Sequence, residues 1–276
     1  MRLRSLLYVP AHVRRFVAKA HERGADAVIL DLEDAVPEGE KDAARAALSQ
    51  AVPEAGRSAA RVFVRVNATD RLAQDIQASQ AAGAFGIMLP KVDTAADLDV
   101  LPPSFRQNIA IVESARGLMA AREIAAHPAV AALCLGSEDF ATDTGAVASA
   151  EVLRLPKRLL HYAAKAEGKL SLGLLRSAAQ FDDDEGLEAA ASEAANFGFD
   201  GATCIHPKVV AVLNRAFIPG PERLAWARRV IRAAQEAARQ GRGAFMLDGE
   251  FIDAPIVTRA EAIIARAEPP VDPKTT

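Results

Sequence analysis

Strand and helix signals alternate eight times along this chain, and few architectures accept that pattern. Short runs rich in Val, Ile and Leu fall at about 4–9, 26–32, 61–66, 85–90, 108–113, 131–136, 169–175 and 200–205. Runs of this length, bounded by Gly and polar residues, read as strands buried on both faces. Ala-rich helical stretches lie between them, at 13–23, 41–51, 71–82, 117–126, 157–167 and 185–197. Gly24, Gly83, Gly168 and Gly198 stop four of these, and Pro128 stops another. Gly fits the left-handed position at a helix end, and Pro cannot continue a helix. Eight such units predict an α/β fold, a (β/α)8 TIM barrel over residues 1–216, rather than an open sheet.

The remaining residues, 217–276, predict a C-terminal extension. Helices are expected at 207–216 and 221–240, and Gly241-Arg242-Gly243 then breaks the pattern. The stretch 244–255 carries an Asp-Gly turn signal at 248–249, which predicts a hairpin, and a last helix follows at 256–267. Glu268-Pro269-Pro270 opens a tail expected to fray. Phe245, Met246, Phe251 and Ile252 should find cover somewhere, a neighbouring subunit being one candidate.

The charge balance narrows the partners. The net charge is −3 and Lys and Arg are scattered, so no nucleic-acid footprint is expected. Apolar runs fall far short of membrane-spanning length, and the N-terminus runs directly into strand-like sequence without a leader-type cleavage site. Cys134 and Cys204 lie inside apolar runs and read as reduced core thiols of a cytoplasmic protein. His12, His21, His127 and His161 show no metal-ligand spacing.

In a barrel of this type, chemistry gathers at the C-terminal strand ends, which share one face. Those ends carry Pro10, Asp31-Leu32-Glu33-Asp34, Arg65, Asn67, Lys91, Glu113, Glu138, Asp139, Arg176 and His206. Glu113 follows an Ile-Ala-Ile-Val run, and Asp139 follows Leu133-Cys134-Leu135-Gly136. A dry, unpaired carboxylate costs several kcal/mol. A divalent cation would compensate it, and Mg2+ is usually held by only one or two protein carboxylates, with water and substrate oxygens completing its shell. Taken singly, either acid could equally cap the next helix or meet an Arg. Lys91 could form a Schiff base in a metal-free aldolase, but the acid pair would then have no task, so a bridge to Glu33 or Asp34 is expected instead. His206 before Pro207 reads as a helix start. Arg4 and Arg14 are either phosphate ligands or solvated charges.

Several motifs together resemble one family. They are Arg4-Ser5-Leu6-Leu7-Tyr8-Val9-Pro10, Leu30-Asp31-Leu32-Glu33-Asp34, Val64-Arg65-Val66-Asn67, Leu89-Pro90-Lys91, Glu113-Ser114-Ala115-Arg116-Gly117, Gly136-Ser137-Glu138-Asp139-Phe140 and Ile205-His206-Pro207. In this order they resemble the citrate lyase beta-subunit-like proteins of the HpcH/HpaI aldolase superfamily. The resemblance implies a Mg2+-dependent barrel, with Mn2+ a possible substitute, that makes or breaks a carbon–carbon bond between a CoA thioester and a 2-oxo acid. Carried over, Glu113 and Asp139 are the metal ligands, and Arg65 binds the oxo-acid or enolate oxygen. Glu33 and Asp34 reach the metal through water. Gly136 and the backbone at Ser137 admit the substrate carboxylate.

The segment Phe251-Ile252-Asp253-Ala254-Pro255 resembles the lid of malyl-CoA and citramalyl-CoA lyases. That likeness implies that Asp253 serves the active site of a neighbouring copy, in a homotrimer or a multiple of one. The expected activity is therefore cleavage of a 3-hydroxyacyl-CoA such as malyl-CoA or citramalyl-CoA. Alternatives are a malyl-CoA thioesterase and the beta subunit of a citrate lyase complex, acting on an acyl-carrier-protein thioester. The strand-seven end, with Arg176 and Ser177, departs from the family pattern near the thioester.

Overall fold

The computed structural model describes residues 2–105, 107–179 and 182–267; the tail expected from Glu268 lies outside them. The described residues divide into two compact units, one spanning Arg2–Phe217 and the other beginning at Ile218.

Eight parallel strands form the first unit: β1 Ser5–Pro10, β2 Ala27–Asp31, β3 Arg61–Arg65, β4 Gly86–Leu89, β5 Asn108–Val112, β6 Val130–Leu135, β7 Leu170–Leu172 and β8 Ala202–Cys204. Each hydrogen-bonds to its sequence neighbour from β1 to β7, and β8 returns to β1. The Leu172–Gly201 bridge brings β7 to β8, so the sheet is a nearly closed barrel. Side chains alternate along each strand. Leu6, Ile29, Phe63, Met88, Ile109 and Cys134 fill the interior, whereas Leu7, Val28, Leu30 and Val64 pack outward under the helices.

Those helices are α1 Arg14–Ala20, α2 Lys41–Ala55, α3 Leu72–Ala81, α4 Ala115–Met119, α5 Ala121–Ala126, α6 Ser137–Thr144, α7 Ala150–Ala166, α8 Asp184–Phe197 and α9 Pro207–Ala216. Three details differ from the sequence reading. The helix expected at 117–126 is two, parted at Ala120. Only a 3-10 turn, Ala95–Leu98, follows β4. β7 ends at Leu172, three residues early, because the carbonyls beyond it turn toward a lysine described below.

Strand register sets the site. Pro10 pairs with Asp31, and Asp31 pairs with Arg65, so the ends of β1, β2 and β3 are level. Val112 pairs with Leu135, which puts Glu113 and Gly136 side by side just beyond the barrel rim.

The second unit holds α10 Pro221–Arg239, a hairpin of β9 Phe245–Leu247 and β10 Glu250–Ile252, and α11 Ala254–Ala267. Asp248 and Gly249 have φ of 52° and 84°, the paired positive values of a type I′ turn. Ile252 packs with Ala227, Val230, Ala260 and Ile263, and Phe245 joins them. Met246 and Phe251 face each other across the hairpin and remain 64% and 61% exposed. The four apolar side chains expected to be covered thus split between the two faces of one ribbon.

Candidate active site

Arg65, the last residue of β3, is clamped by its level neighbour on β2. Its Nε donates to Asp31 Oδ1 at 2.8 Å and its Nη2 to Asp31 Oδ2 at 2.6 Å. This two-point contact fixes the plane of the guanidinium. Nη1 lies 2.9 Å from Asp34 Oδ2 and 2.8 Å from Glu33 Oε2. The Tyr8 ring, 5.0 Å from the guanidinium carbon, supports it from below. Asp31 itself accepts from the N–H of Glu33 and so shapes the loop that bears the other two acids.

Glu113 leaves β5 buried, at 6% exposure. One of its oxygens accepts the backbone N–H of Lys91 at 2.8 Å, and Lys91 adopts φ 56° to offer it. The Lys91 Nζ lies 3.7 Å from Glu33, so this lysine is a bridge as expected. Gly136 allows Glu113 its place. A Cβ on Gly136 would stand 2.5 Å from Glu113 Oε1, closer than any real contact. The family resemblance assigns Gly136 to the substrate carboxylate; its nearest demand is room for Glu113.

Ser137, Glu138 and Asp139 then form the first turn of α6. No side chain caps that turn, so its leading N–H groups remain available to an anionic oxygen. The acids suit the positive end of the helix dipole. Glu138 accepts a short hydrogen bond from the buried Ser177, which ties α6 to the loop after β7.

Most of these residues meet at a cleft of about 430 Å³. Its lining includes Arg65, Glu113, Asp139, Ser137, Lys157 and Ser177. At the Arg65 end of it Asp31, Asp34, Glu113 and Asp139 line the wall, and Glu33 stands against Arg65 with Lys91 beside it, so carboxylates outnumber cations. Burial, then repulsion, pushes Glu33 and Glu113 up to about 7; Glu33 and Asp139 raise Glu113, and Asp34 raises Glu33, while Arg65 opposes both shifts. Glu33 Oε2 is buried in ion-pair range of Arg65, yet it accepts no hydrogen bond from any described residue. Excess buried carboxylate oxygens with an unsatisfied acceptor are a fitting environment for a hard divalent cation. Among the described residues no three His, Cys, Asp or Glu converge as a full ligand cage. That suits Mg2+, which needs few protein ligands, better than a structural zinc.

Other expectations resolve locally. His206 caps α9, its ring nitrogen accepting from the Lys208 N–H. Arg4 is held by Asp26 at 2.8 and 2.6 Å before β1 begins, at the opposite end of the barrel, so its choice falls to neither phosphate nor solvent. Asp253 caps α11 in the second unit, accepting from the Ile256 N–H at 3.4 Å. Cys134 and Cys204 are buried free thiols. No helix among the described residues is long and apolar enough to cross a membrane. The sequence reading missed the Asp31 clamp, the Ser177–Glu138 tie and Lys157. A lysine on the apolar stripe of α7, between Leu153 and Leu160, was the available signal for the last.

Comparison with known proteins gives consistent matches. The family described as HpcH/HpaI aldolase/citrate lyase matches residues 4–207. A citrate lyase subunit beta-like protein of Mycobacterium tuberculosis is 39% identical over 272 residues, covering 95% of this chain and 94% of that protein. A (3S)-malyl-CoA thioesterase of Cereibacter sphaeroides is 36% identical over 272 residues, covering 96% and 94%. Among solved structures, CitE from Mycobacterium tuberculosis in complex with magnesium, acetoacetate and coenzyme A superposes with a TM-score of 0.81 at 38% identity, covering 96% of this chain and 98% of that one. The same protein with magnesium and pyruvate gives 0.73 at 33% identity, covering 95% and 99%.

Proposed function

We propose, for a chain that belongs to the HpcH/HpaI aldolase/citrate lyase family, a Mg2+-dependent lyase activity on a 3-hydroxyacyl-CoA. Malyl-CoA and citramalyl-CoA are the substrates of choice, and the products are acetyl-CoA and a 2-oxo acid. The observation that carries this reading is the cluster of buried carboxylates with raised proton affinity beside a guanidinium of fixed plane. Relatives crystallised with magnesium and pyruvate, and with magnesium, acetoacetate and coenzyme A, support the ligand classes.

In this reading Glu113 and Asp139 would hold Mg2+, and Glu33 and Asp34 would serve it through water. Mn2+ is a plausible replacement on grounds of ligand type. The bound cation would polarise the ketone and neutralise the surrounding carboxylates. Arg65, its fork set by Asp31, grips the oxo-acid oxygen, which carries the charge once the substrate hydroxyl has given up its proton and until the carbon–carbon bond breaks. The open first turn of α6 at Ser137 receives the substrate carboxylate. Gly136 keeps Glu113 in place. Asp253 from a second copy of the chain moves the proton on the thioester side, in a trimer or a multiple of one.

A thioesterase is the second reading, favoured by the 36% identity to a (3S)-malyl-CoA thioesterase. The two part at the products. Malyl-CoA and citramalyl-CoA are incubated with enzyme and Mg2+, and the products are separated by chromatography. Glyoxylate or pyruvate with acetyl-CoA supports the lyase; malate or citramalate with free CoA supports the thioesterase. EDTA, Glu113→Ala and Asp139→Ala should each abolish either reaction. Full activity in EDTA would refute the metal and return attention to Lys91.

A further inference from the structure

Three cationic side chains among the described residues line the cleft: Arg65, Arg176 and Lys157. Arg65 is surrounded by Asp31, Glu33 and Asp34, and Arg176 pairs with Asp183 at 3.4 Å. Lys157 differs. Its Nζ donates to the carbonyls of Leu174 at 2.8 Å and Arg176 at 2.7 Å, and no carboxylate of the described residues lies in ion-pair range. The residue is only 5% exposed.

A buried ammonium with no carboxylate in ion-pair range is costly, and two carbonyl dipoles with the more distant Glu138 compensate only part of the cost. Burial accordingly lowers its pKa to about 8, which still leaves it charged at neutral pH. An ammonium has three N–H donors. Two are used by the loop after β7, and the third remains for the cleft. The Cys134 thiol is within electrostatic range of Lys157, of Glu113 and of Arg65, so the ammonium and the acid end flank the same interior position.

We propose that Lys157 is a catalytic residue, its third N–H holding the thioester oxygen on which enolate charge develops. This assignment rests on the acyl-CoA lyase reading. In cleavage the substrate hydroxyl gives its proton to a base, and the O–H pair becomes the new ketone bond. The bond from the carbinol carbon to the carbon next to the thioester breaks. Its pair forms the enolate, with the charge on the thioester oxygen, and the carbon then takes a proton. Lys157 donates a hydrogen bond throughout and transfers no proton. A buried cation without a carboxylate in ion-pair range among the described residues stabilises that developing charge more than it stabilises the neutral carbonyl. Arg65 cannot serve as well there, because three carboxylates already surround it.

Three variants separate charge from loop support. Lys157→Gln keeps two N–H donors for the carbonyls but has no charge, Lys157→Met has neither, and Lys157→Arg keeps the charge. The readouts are deuterium uptake into the methyl group of acetyl-CoA in heavy water with pyruvate and Mg2+, and pyruvate binding by calorimetry. Wild-type protein should exchange. Lys157→Gln and Lys157→Met should both lose exchange by about a hundredfold or more while binding pyruvate within about threefold of wild type, and Lys157→Arg should recover part. Near-wild-type exchange by Lys157→Gln would reduce Lys157 to a clamp on the loop and overturn the proposal. The Gln and Arg variants decide the matter even where the Met variant does not fold. A wild-type protein that binds pyruvate yet never exchanges would overturn the lyase reading, and Lys157 with it.

Discussion

The metal-free protein should become less stable as pH rises from about 5 to 8, and Mg2+ should remove that loss. Glu33 and Glu113 both lie near 7 instead of 4.5, since burial and neighbouring acids penalise their charged forms. A carboxyl raised in this way costs the fold nothing below its unfolded value, when it is protonated in both states. The cost grows between about 4.5 and 7 and is complete above 7. Each tenfold gain in proton affinity is worth about 1.4 kcal/mol, so one such acid weakens the fold by about 3 kcal/mol at pH 8. Glu33 is itself among the causes of the Glu113 shift, so the two titrate as a pair and their costs do not add. For a chain of this size that one-acid cost is a fall in Tm of roughly 6–12 °C.

The assay is a set of calorimetric melts of EDTA-treated protein at about pH 5.5, 6.5, 7.5 and 8, with and without excess Mg2+. The Glu33→Gln/Glu113→Gln variant is the reference, because other carboxylates titrate equally in both proteins. Wild-type Tm should fall relative to the variant as pH rises, and Mg2+ should raise wild-type Tm more at pH 8 than at pH 5.5. Parallel curves for wild type and variant, or a Mg2+ effect of equal size at both ends, would refute the electrostatic account of the site.

Further outcomes follow from individual side chains. Arg65→Lys keeps the charge but loses the two-point contact with Asp31, so kcat should fall by about a hundredfold, and near-normal turnover would remove Arg65 from the oxyanion role. Gly136→Ala drives a methyl group into Glu113, which should cost about 1–3 kcal/mol of stability and weaken Mg2+ binding; unchanged affinity in a calorimetric titration would contradict the packing argument. Asp253→Asn mixed with Glu113→Ala after dissociation and reassembly should regain activity that neither has alone, and silence despite proven subunit exchange would show that Asp253 does not serve a second copy's site.

The parts of the site legible in the sequence share a physical origin. A strand buried on both faces is an unbroken Val/Ile/Leu run, so a charged residue just past it stands out. That is how Glu113, Arg65 and the acids at 31–34 are visible from the chain alone. α6 is hidden by its own composition. Ser137–Thr144 contains Ser, Asp and Thr, which favour caps and turns over helix interiors, and Thr142 and Thr144 bond back to the Glu138 and Phe140 carbonyls. The end of β7 is hidden because it depends on a residue far away in sequence. Nothing in Leu172-Gly173-Leu174-Leu175 says that the Leu174 carbonyl will accept from Lys157. The Asp31 clamp on Arg65 likewise appears only when the register of β2 and β3 puts the two level. Periodicity therefore reports which residues reach the rim, whereas the partner of each is fixed by strand register and by one buried cation. Lys157 is both the least legible of these residues and, among those described, the one with no carboxylate in ion-pair range. A lysine that interrupts an apolar helical stripe is worth testing in other barrels where the chemistry needs a cation and the visible arginine is already paired.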